Sequence, residues 1–196
     1  MRFLVVTDFD GCLVTKGADL IAPEVAQRIK RINDIVPVII VTARASARAV
    51  SAAAAALDQV SLGAVPFFHR DMNLYDNSSH GIISAKVAAI QQYVERHGLE
   101  PAIGIGDESD DEVVYRMLGM IPFRVIWGTP DAVRLSTPAE YCYTVSEDGL
   151  PELWDRIHDD IARLLLGRNP YGTAKHFGAQ AACYWDANTG RWKRPC

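Results

Sequence analysis

Short apolar runs alternate with amphipathic segments along most of the chain. Continuous apolar runs rich in valine, isoleucine and phenylalanine are typical of strands that are buried on both faces of a parallel sheet. They predict strands at Phe3–Val6, Val38–Val41, Ala64–His69, Ala102–Ile105, Phe123–Trp127 and Tyr141–Val145. Apolar residues at helical spacing predict helices at 23–33, 45–57, 82–97, 110–118 and 151–166. This alternation predicts an α/β fold with a Rossmann-like, doubly wound and mainly parallel sheet.

The pattern changes at Gly167. Residues 167–196 lack helical periodicity and are rich in glycine, asparagine and aromatic residues. We therefore predict one domain over 1–166 and an irregular tail over 167–196. Within the tail, the segment from Tyr184 to Trp192 is predicted to form a hairpin that turns around 188–190. The tail either packs on the domain as an appendage or covers a functional site or a neighbouring subunit.

Composition narrows the class of protein. The chain has 196 residues, of which 49% are hydrophobic and 22% are charged, and its formal net charge is −4. The net charge argues against nucleic-acid binding driven by overall charge, although it is compatible with a local basic patch. The four cysteines are scattered without metal-binding spacing, no apolar run approaches the ~20 residues that span a membrane, and the first residues do not resemble a signal peptide. We expect a reduced, cytoplasmic, soluble domain without a membrane partner.

Polar and charged side chains follow the predicted strands directly. The candidates for chemistry are Asp8, Asp10 and Gly11 after the first strand, Thr42, Ala43 and Arg44 after the second, Arg70 after the third, and Asp107, Asp110 and Asp111 after the fourth. Open α/β sheets bind their ligands just beyond the carboxyl ends of the strands. Carboxylates gathered there repel one another unless they share a proton or a cation. The pattern therefore favours a cation-dependent site, although Asp and Gly are also ordinary turn residues.

Four motifs resemble those of the haloacid dehalogenase-like phosphohydrolase superfamily. They are DFDGC around Asp8 and Asp10, VIIVTAR around Thr42, the helical Lys86, and GDESDD at 106–111. The resemblance extends over residues 3–165, and its first and last motifs are the most specific. It implies a phosphomonoester hydrolase on a Rossmann-like sheet.

The resemblance implies a role for each catalytic residue. Asp8 would attack the phosphorus and form an aspartyl-phosphate, which divides the reaction into two easier steps. Asp10 would protonate the leaving oxygen and then accept a proton from the hydrolytic water; in this family it separates phosphatases and phosphotransferases from dehalogenases. Thr42 would donate a hydrogen bond to a phosphoryl oxygen, and Lys86 would neutralise the nucleophile and the phosphate. Taken singly, Thr42 could instead cap the following helix, and Lys86 could be a solvated helix lysine.

The resemblance also implies a Mg²⁺ site. Its protein ligands would be the Asp8 carboxylate, the Asp10 backbone carbonyl and Asp107. Asp111 stands where the family places a further acidic residue, and Asp110 competes with it for that role. Contacts to the substrate are expected from residues that follow the first three strands, namely Gly11, Ala43, Arg44 and Arg70.

The substrate is expected to be small. The segments GDESDDE, FRVIWGTP and AEYCYTV resemble the closing part of trehalose-6-phosphate phosphatases and related sugar phosphatases. Those enzymes carry a cap domain, but 13–23 and 70–85 are too short to fold one, because an independent unit needs ~40 residues. The chain is therefore predicted to be capless or minimally capped. Because its net charge is acidic, a small phosphorylated metabolite such as a sugar phosphate is expected in preference to a nucleic-acid end.

Other functions stay open at this point. Capless relatives include polynucleotide 3'-phosphatases and enzymes that close their sites by oligomerising, so a nucleic-acid end is an alternative substrate and a homo-oligomer an alternative assembly. A phosphotransferase would share every motif. A phospho-acceptor signalling module fits less well, because its acceptor aspartate ends the third strand, where this chain has His69 and Arg70. An inactive scaffold would not need the intact set of acidic residues.

Overall fold

Strands and helices alternate from Phe3 to Leu165 in the computed structural model of the chain. The structure describes residues 2–128, 141–146, 149–165, 184–186 and 191–193. The strands are β1 (Phe3–Thr7), β2 (Val38–Thr42), β3 (Phe67–His69), β4 (Glu100–Gly106), β5 (Ile121–Trp127), β6 (Cys142–Val145), β7 (Tyr184–Asp186) and β8 (Arg191–Lys193). The helices are α1 (Pro23–Ile35), α2 (Ala47–Gln59), α3 (Ser79–His97), α4 (Ser109–Met117) and α5 (Leu150–Leu165). Every strand and helix predicted up to Leu165 is present, in the predicted order.

Six strands form one sheet in the order β3-β2-β1-β4-β5-β6. All five pairings between neighbouring strands are parallel. β1 lies in the interior of the sheet, where Val6 is paired with Ile39 of β2 and with Gly104 of β4. The predicted Rossmann-like α/β fold is confirmed, and the carboxyl ends of all six strands lie along one edge of the sheet.

Helices cover both faces of the sheet. Buried side chains of α1, α2 and α5 belong to the larger of two apolar cores, and those of α3 and α4 belong to the smaller one. Successive residues of β1 alternate between the cores: Val5 belongs to the larger, and Leu4 and Val6 belong to the smaller. Because both faces are buried in this way, β1 reads as a continuous apolar run rather than an alternating one.

Side-chain caps set the starts of two helices. α2 begins later than predicted because Ser46 Oγ accepts a hydrogen bond from the Ala49 backbone N–H. α3 begins earlier than predicted because Ser78 Oγ accepts a hydrogen bond from the Gly81 backbone N–H. β3 is shorter than predicted, since the residues before it form a hydrogen-bonded turn.

The two loops where a cap domain would be inserted are short. Residues 8–22 and 70–78, all of which the structure describes, contain no helix and no strand beyond an isolated bridge between Asp10 and Val14. This confirms the prediction that no sizeable cap is inserted at either point. Within the described part of the chain, no helix combines the length and the apolar character needed to cross a membrane.

The tail contributes two short paired strands. β7 and β8 are antiparallel, with Trp185 paired with Trp192, which confirms the predicted hairpin. Its predicted turn at 188–190 and all of 167–183 lie outside the described residues. The division into a domain over 1–166 and a tail over 167–196 therefore stays a prediction.

Candidate active site

The strand order places a topological switch point between β1 and β4, where open α/β sheets form a crevice. The chain leaves β1 towards α1 on one face of the sheet and leaves β4 towards α4 on the opposite face, so the two connections diverge. Open α/β sheets bind their ligands at such a switch point. Asp8 and Asp107 follow these two strands, and the Asp8 backbone N–H donates to the Ile105 carbonyl at 2.9 Å. The topology thus brings two predicted acids to one place.

Three buried carboxylates meet at this crevice. One oxygen from each of Asp8, Asp107 and Asp111 lies within 4.8 Å of the other two, and all three residues are buried. Asp111 is oriented by the capping box at the start of α4, in which its Oδ2 accepts from the Glu108 backbone N–H at 3.2 Å. Asp110 is only partly buried and lies outside this cluster. Of the two candidates for the further acid, the geometry favours Asp111.

Lys86 lies between two of these acids. Its ammonium is 3.1 Å from Asp8 Oδ1 and 2.5 Å from Asp111 Oδ1, and the residue is 4% exposed. α3, which carries it, packs beside α4. A lysine is rarely buried unless its charge is paired in this way. The arrangement is therefore different from that of a solvated helix lysine.

Burial and neighbouring charges together set the pKa values of Asp8, Asp107 and Lys86. It raises the pKa of Asp8 from 3.8 to about 8, against the opposing effect of Lys86. Burial also raises the pKa of Asp107 to about 6, against the opposing effect of Lys16. Burial alone would lower the pKa of Lys86, but Asp111 and Asp8 raise it above its usual value. At neutral pH these values leave Asp107 mainly ionised and Asp8 mainly protonated, so a further positive charge nearby would favour the state in which both are ionised.

The cluster fits a divalent cation. Among the described residues, Asp8 Oδ1 and Asp107 Oδ2 are buried acceptors that receive no hydrogen bond. Each has an ammonium at ion-pair distance, Lys86 at 3.1 Å and Lys16 at 2.9 Å, but without hydrogen-bond geometry. Buried carboxylate oxygens with unused lone pairs are the hard ligands that Mg²⁺ prefers. The chemistry of this donor set thus fits the predicted ion.

The turn after β1 is held tightly against its surroundings. Gly11 has a φ of +71°, and a Cβ at this position would lie 2.3 Å from Asp107 Cγ, so only glycine fits. The Gly11 carbonyl accepts from Trp127 Nε1 at 2.9 Å, and the Cys12 carbonyl accepts from Trp154 Nε1 at 2.8 Å. The two indoles therefore tie the acidic turn to β5 and α5.

Asp10 faces a different set of partners. Its carboxylate accepts three hydrogen bonds from Arg44, of which the shorter two join Nη2 to Oδ1 at 2.7 Å and Nε to Oδ2 at 2.9 Å. Thr42 Oγ1 lies 3.5 Å from Asp10 Oδ2 and accepts from the Arg44 backbone N–H at 3.1 Å. The cap of α2 is Ser46 rather than Thr42. The structure thus brings Asp10, Thr42 and Arg44 together.

Arg70 and Ala43 lie beside the loop that follows β3. The buried Arg70 guanidinium donates to the carbonyls of Ala43 at 3.3 Å, Tyr75 at 3.4 Å and Asp76, and to the Asn77 side chain. These bonds clamp residues 71–78 to the end of β2. The expected contacts of Arg70 and Ala43 with a substrate stay predictions.

Lys16 was not expected at the acidic cluster. Its ammonium lies 2.9 Å from Asp107 Oδ2 and also pairs with Glu108, and its side chain is 53% exposed. Lys16 lies in the loop between β1 and α1, where no periodic pattern indicates which side chains turn inward. Because Lys16 pairs with an oxygen that would also serve a metal, it would compete with a bound cation for Asp107.

Replacing Lys16 with Met is expected to tighten Mg²⁺ binding about 3- to 10-fold, because charges a few ångströms apart interact by ~1 kcal/mol in an exposed setting. Titration calorimetry on the metal-free protein measures the change. Lys30→Met is the matched control, since Lys30 is an exposed lysine of α1 that bonds to the Val60 carbonyl. Equal Mg²⁺ affinity in the two variants would contradict the competition.

Comparisons with known proteins bear on the fold. No protein-family model matches the sequence, and no curated protein matches it significantly. The cobalt-bound deoxy-D-mannose-octulosonate 8-phosphate phosphatase from Haemophilus influenzae is 17% identical, with a TM-score of 0.51 over 89% of this chain and 95% of that chain. The D,D-heptose 1,7-bisphosphate phosphatase from B. bronchiseptica, solved with magnesium and phosphate, is 15% identical, with a TM-score of 0.51 over 82% of this chain and 99% of that chain.

Identities of this size indicate a common fold rather than a common activity. The matches take in nearly all of both phosphatase chains, so neither contains a sizeable domain that is missing here. This agrees with the short loops at both positions where a cap would be inserted. The chain therefore has the fold of these two phosphatases.

Proposed function

We propose that the chain is a Mg²⁺-dependent phosphatase of the haloacid dehalogenase-like superfamily, which hydrolyses a phosphomonoester through an aspartyl-phosphate. The observation that carries this proposal is the buried cluster of Asp8, Asp107 and Asp111 around Lys86 at the switch point of the sheet. The four sequence motifs contain these same residues. Two phosphatases of the same fold, one bound to cobalt and one to magnesium, support it.

The first step is assigned to Asp8 and Asp10. A carboxylate oxygen of Asp8 forms a bond to phosphorus while the bond from phosphorus to the leaving oxygen breaks and leaves its electron pair on that oxygen. Asp10 transfers its proton to the leaving oxygen. Lys86, 3.1 Å from Asp8, stabilises the negative charge, and Thr42 donates a hydrogen bond to a phosphoryl oxygen.

The second step restores the enzyme. Asp10, now a carboxylate, accepts a proton from a water molecule whose oxygen bonds to the phosphorus. The bond between phosphorus and Asp8 breaks, and inorganic phosphate leaves with the Asp8 carboxylate regenerated. Mg²⁺, which Asp8, Asp107, Asp111 and the Asp10 carbonyl would hold, supplies positive charge to the phosphoryl oxygens when it is bound.

A small phosphorylated metabolite, in particular a sugar phosphate, is the favoured substrate. The two phosphatases of the same fold are named for phosphorylated sugars, and the net charge of −4 disfavours a polynucleotide end.

A capless site is open to water, whereas phosphoryl transfer gains from the exclusion of water. The candidates for the wall of the site are the loop 71–80 and the tail 167–196, and the proposal favours the tail, from the same chain or from a neighbouring subunit.

Phosphate release from a panel of substrates tests the function. With Mg²⁺, the purified protein is expected to release phosphate from at least one sugar phosphate and not from 3'-phosphorylated oligonucleotides. Release of phosphate from the oligonucleotides alone would contradict the proposed substrate class but would support the phosphatase reaction. The absence of release from every phosphomonoester, the activated p-nitrophenyl phosphate included, would contradict the phosphatase itself.

A further inference from the structure

Hydrogen-bond acceptors of the protein surround the guanidinium of Arg44. A guanidinium has five N–H groups. The N–H groups on Nε and Nη2 donate to the Asp10 carboxylate, and Nη2 also donates to the Ala18 carbonyl at 3.0 Å. The two N–H groups on Nη1 donate to Asp19 at 2.5 Å and to the Ala49 carbonyl at 3.4 Å. Every N–H of this side chain therefore has a protein acceptor, and a phosphate could be bound only after one of these bonds breaks.

The guanidinium is also fixed by an aromatic ring. Its central carbon lies 4.7 Å from the centroid of the buried Phe9 ring, within the range of a cation–π contact. The side chain of Arg44 is 12% exposed, whereas that of Asp10 is 33% exposed. The carboxylate rather than the guanidinium is therefore the group that an incoming substrate meets.

We infer, on the basis of the proposed function, that Arg44 and Asp19 are positioning residues that fix the carboxylate of Asp10 for proton transfer. Asp19 orients the guanidinium, and the two-pronged contact fixes the plane of the Asp10 carboxylate. Neither residue touches the reacting atoms. The fork–carboxylate geometry gives direction as well as charge, which an ammonium would not reproduce.

The two oxygens of Asp10 are not equivalent. Oδ1 accepts hydrogen bonds from Arg44 Nη2 at 2.7 Å and from Nε at 3.2 Å. Oδ2 accepts hydrogen bonds from Arg44 Nε at 2.9 Å and from Thr42 Oγ1 at 3.5 Å. Each carboxylate oxygen has about two lone-pair sites. The two hydrogen bonds to Oδ2 are the longer pair, so Oδ2 is assigned as the oxygen that carries the proton to the leaving group.

Loss of this positioning has a selective consequence. An unactivated leaving oxygen needs the proton as the bond to phosphorus breaks, whereas p-nitrophenolate leaves readily without it. General acid catalysis is worth about 10²- to 10⁴-fold. Variants that misplace Asp10 should therefore be impaired strongly with poor leaving groups and weakly with good ones, which a general loss of structure would not produce.

The experiment measures kcat/KM for a series of substituted phenyl phosphates, from p-nitrophenyl phosphate to phenyl phosphate, with Mg²⁺. Arg44→Lys is expected to lose about 10- to 100-fold on phenyl phosphate and less than about 3-fold on p-nitrophenyl phosphate. Asp19→Asn, at an exposed position, is expected to show a smaller loss with the same dependence on the leaving group, and it keeps the test valid if Arg44→Lys folds poorly.

Arg28→Lys is the matched control. Arg28 makes the same two-pronged contact with Asp155, at 2.8 and 3.0 Å, between α1 and α5 and apart from the acidic cluster, so its change should leave the whole series unaltered. The positioning role would be overturned if each variant lost the same factor with every leaving group, or lost nothing. In either case, an active wild-type protein would still support the phosphatase activity. An inactive wild-type protein would overturn both.

Discussion

Replacing Asp8 with Asn is expected to abolish phosphate release, lowering kcat by roughly 10³- to 10⁶-fold. An amide oxygen is a poor nucleophile, so the covalent route is closed. The fold should persist, because burial raises the pKa of Asp8 to about 8 and so disfavours the very charge that the substitution removes. Steady-state kinetics with Mg²⁺, on whichever phosphomonoester the wild-type protein hydrolyses, measure the loss.

The control for this change is Asp34→Asn, which neutralises an exposed acid of α1 outside the crevice. Circular dichroism and thermal unfolding show whether both variants are folded. Near-normal turnover by a folded Asp8→Asn protein would contradict the assignment of Asp8 as the nucleophile, whatever the activity of the control.

Mg²⁺ is expected to stabilise the protein strongly at pH 8 and weakly at pH 5. Asp8 and Asp107 have pKa values of about 8 and about 6 in the folded chain, against an ordinary value of 3.8. An acid whose pKa is raised by folding binds its proton more tightly in the folded state than in the unfolded state. Its contribution to the free energy of unfolding is therefore fully present below pH 3.8 and is lost as the pH rises to the folded-state pKa. The metal-free protein should therefore lose stability between about pH 4 and pH 8.

A bound cation is expected to reverse this loss, because it would pair with the ionised carboxylates. Mg²⁺ at ~100 times its dissociation constant adds about 2.7 kcal/mol, which raises the Tm of a chain of this size by about 5–10 °C at pH 8. Differential scanning calorimetry at both pH values, with EDTA or with Mg²⁺, measures the shifts. EDTA should also stop phosphate release, and Mg²⁺ should restore it.

Asp107→Asn should remove most of the Mg²⁺-dependent shift in Tm, because it deletes a carboxylate of the cluster. Asp110→Asn is its matched control, since Asp110 is three residues along the chain yet lies outside the cluster. Equal shifts at pH 5 and pH 8, or full activity in EDTA, would show that the carboxylates serve another purpose.

The sheet and the acidic crevice could be predicted from the sequence because they depend on local patterns. Strands buried on both faces are continuous apolar runs, and parallel strands end at one edge of the sheet, so Asp8 and Asp107 were expected to meet. Lys86 was found only through the resemblance, because one lysine on an amphipathic helix has no distinguishing pattern. Its burial between two carboxylates is visible only in the structure.

The loop between β1 and α1 shows where sequence patterns stop being informative. Lys16 and Asp19 contact Asp107 and Arg44, which are distant along the chain. Residues in an irregular loop have no period that would indicate which side chains point inward. The choice between Asp110 and Asp111 was open for a related reason: it depends on the capping box of α4, which fixes Asp111 through the Glu108 backbone.

The indole hydrogen bonds to the Gly11 and Cys12 carbonyls have an optical consequence. The chain has four tryptophans, and two of them are bonded to the turn that carries the acidic residues. Indole emission responds to the electric field around the ring, and a cation entering between Asp8 and Asp107 changes that field within a few residues of both contacts. We therefore expect the intrinsic fluorescence of Trp127 and Trp154 to change when a cation binds between Asp8 and Asp107, without any added label.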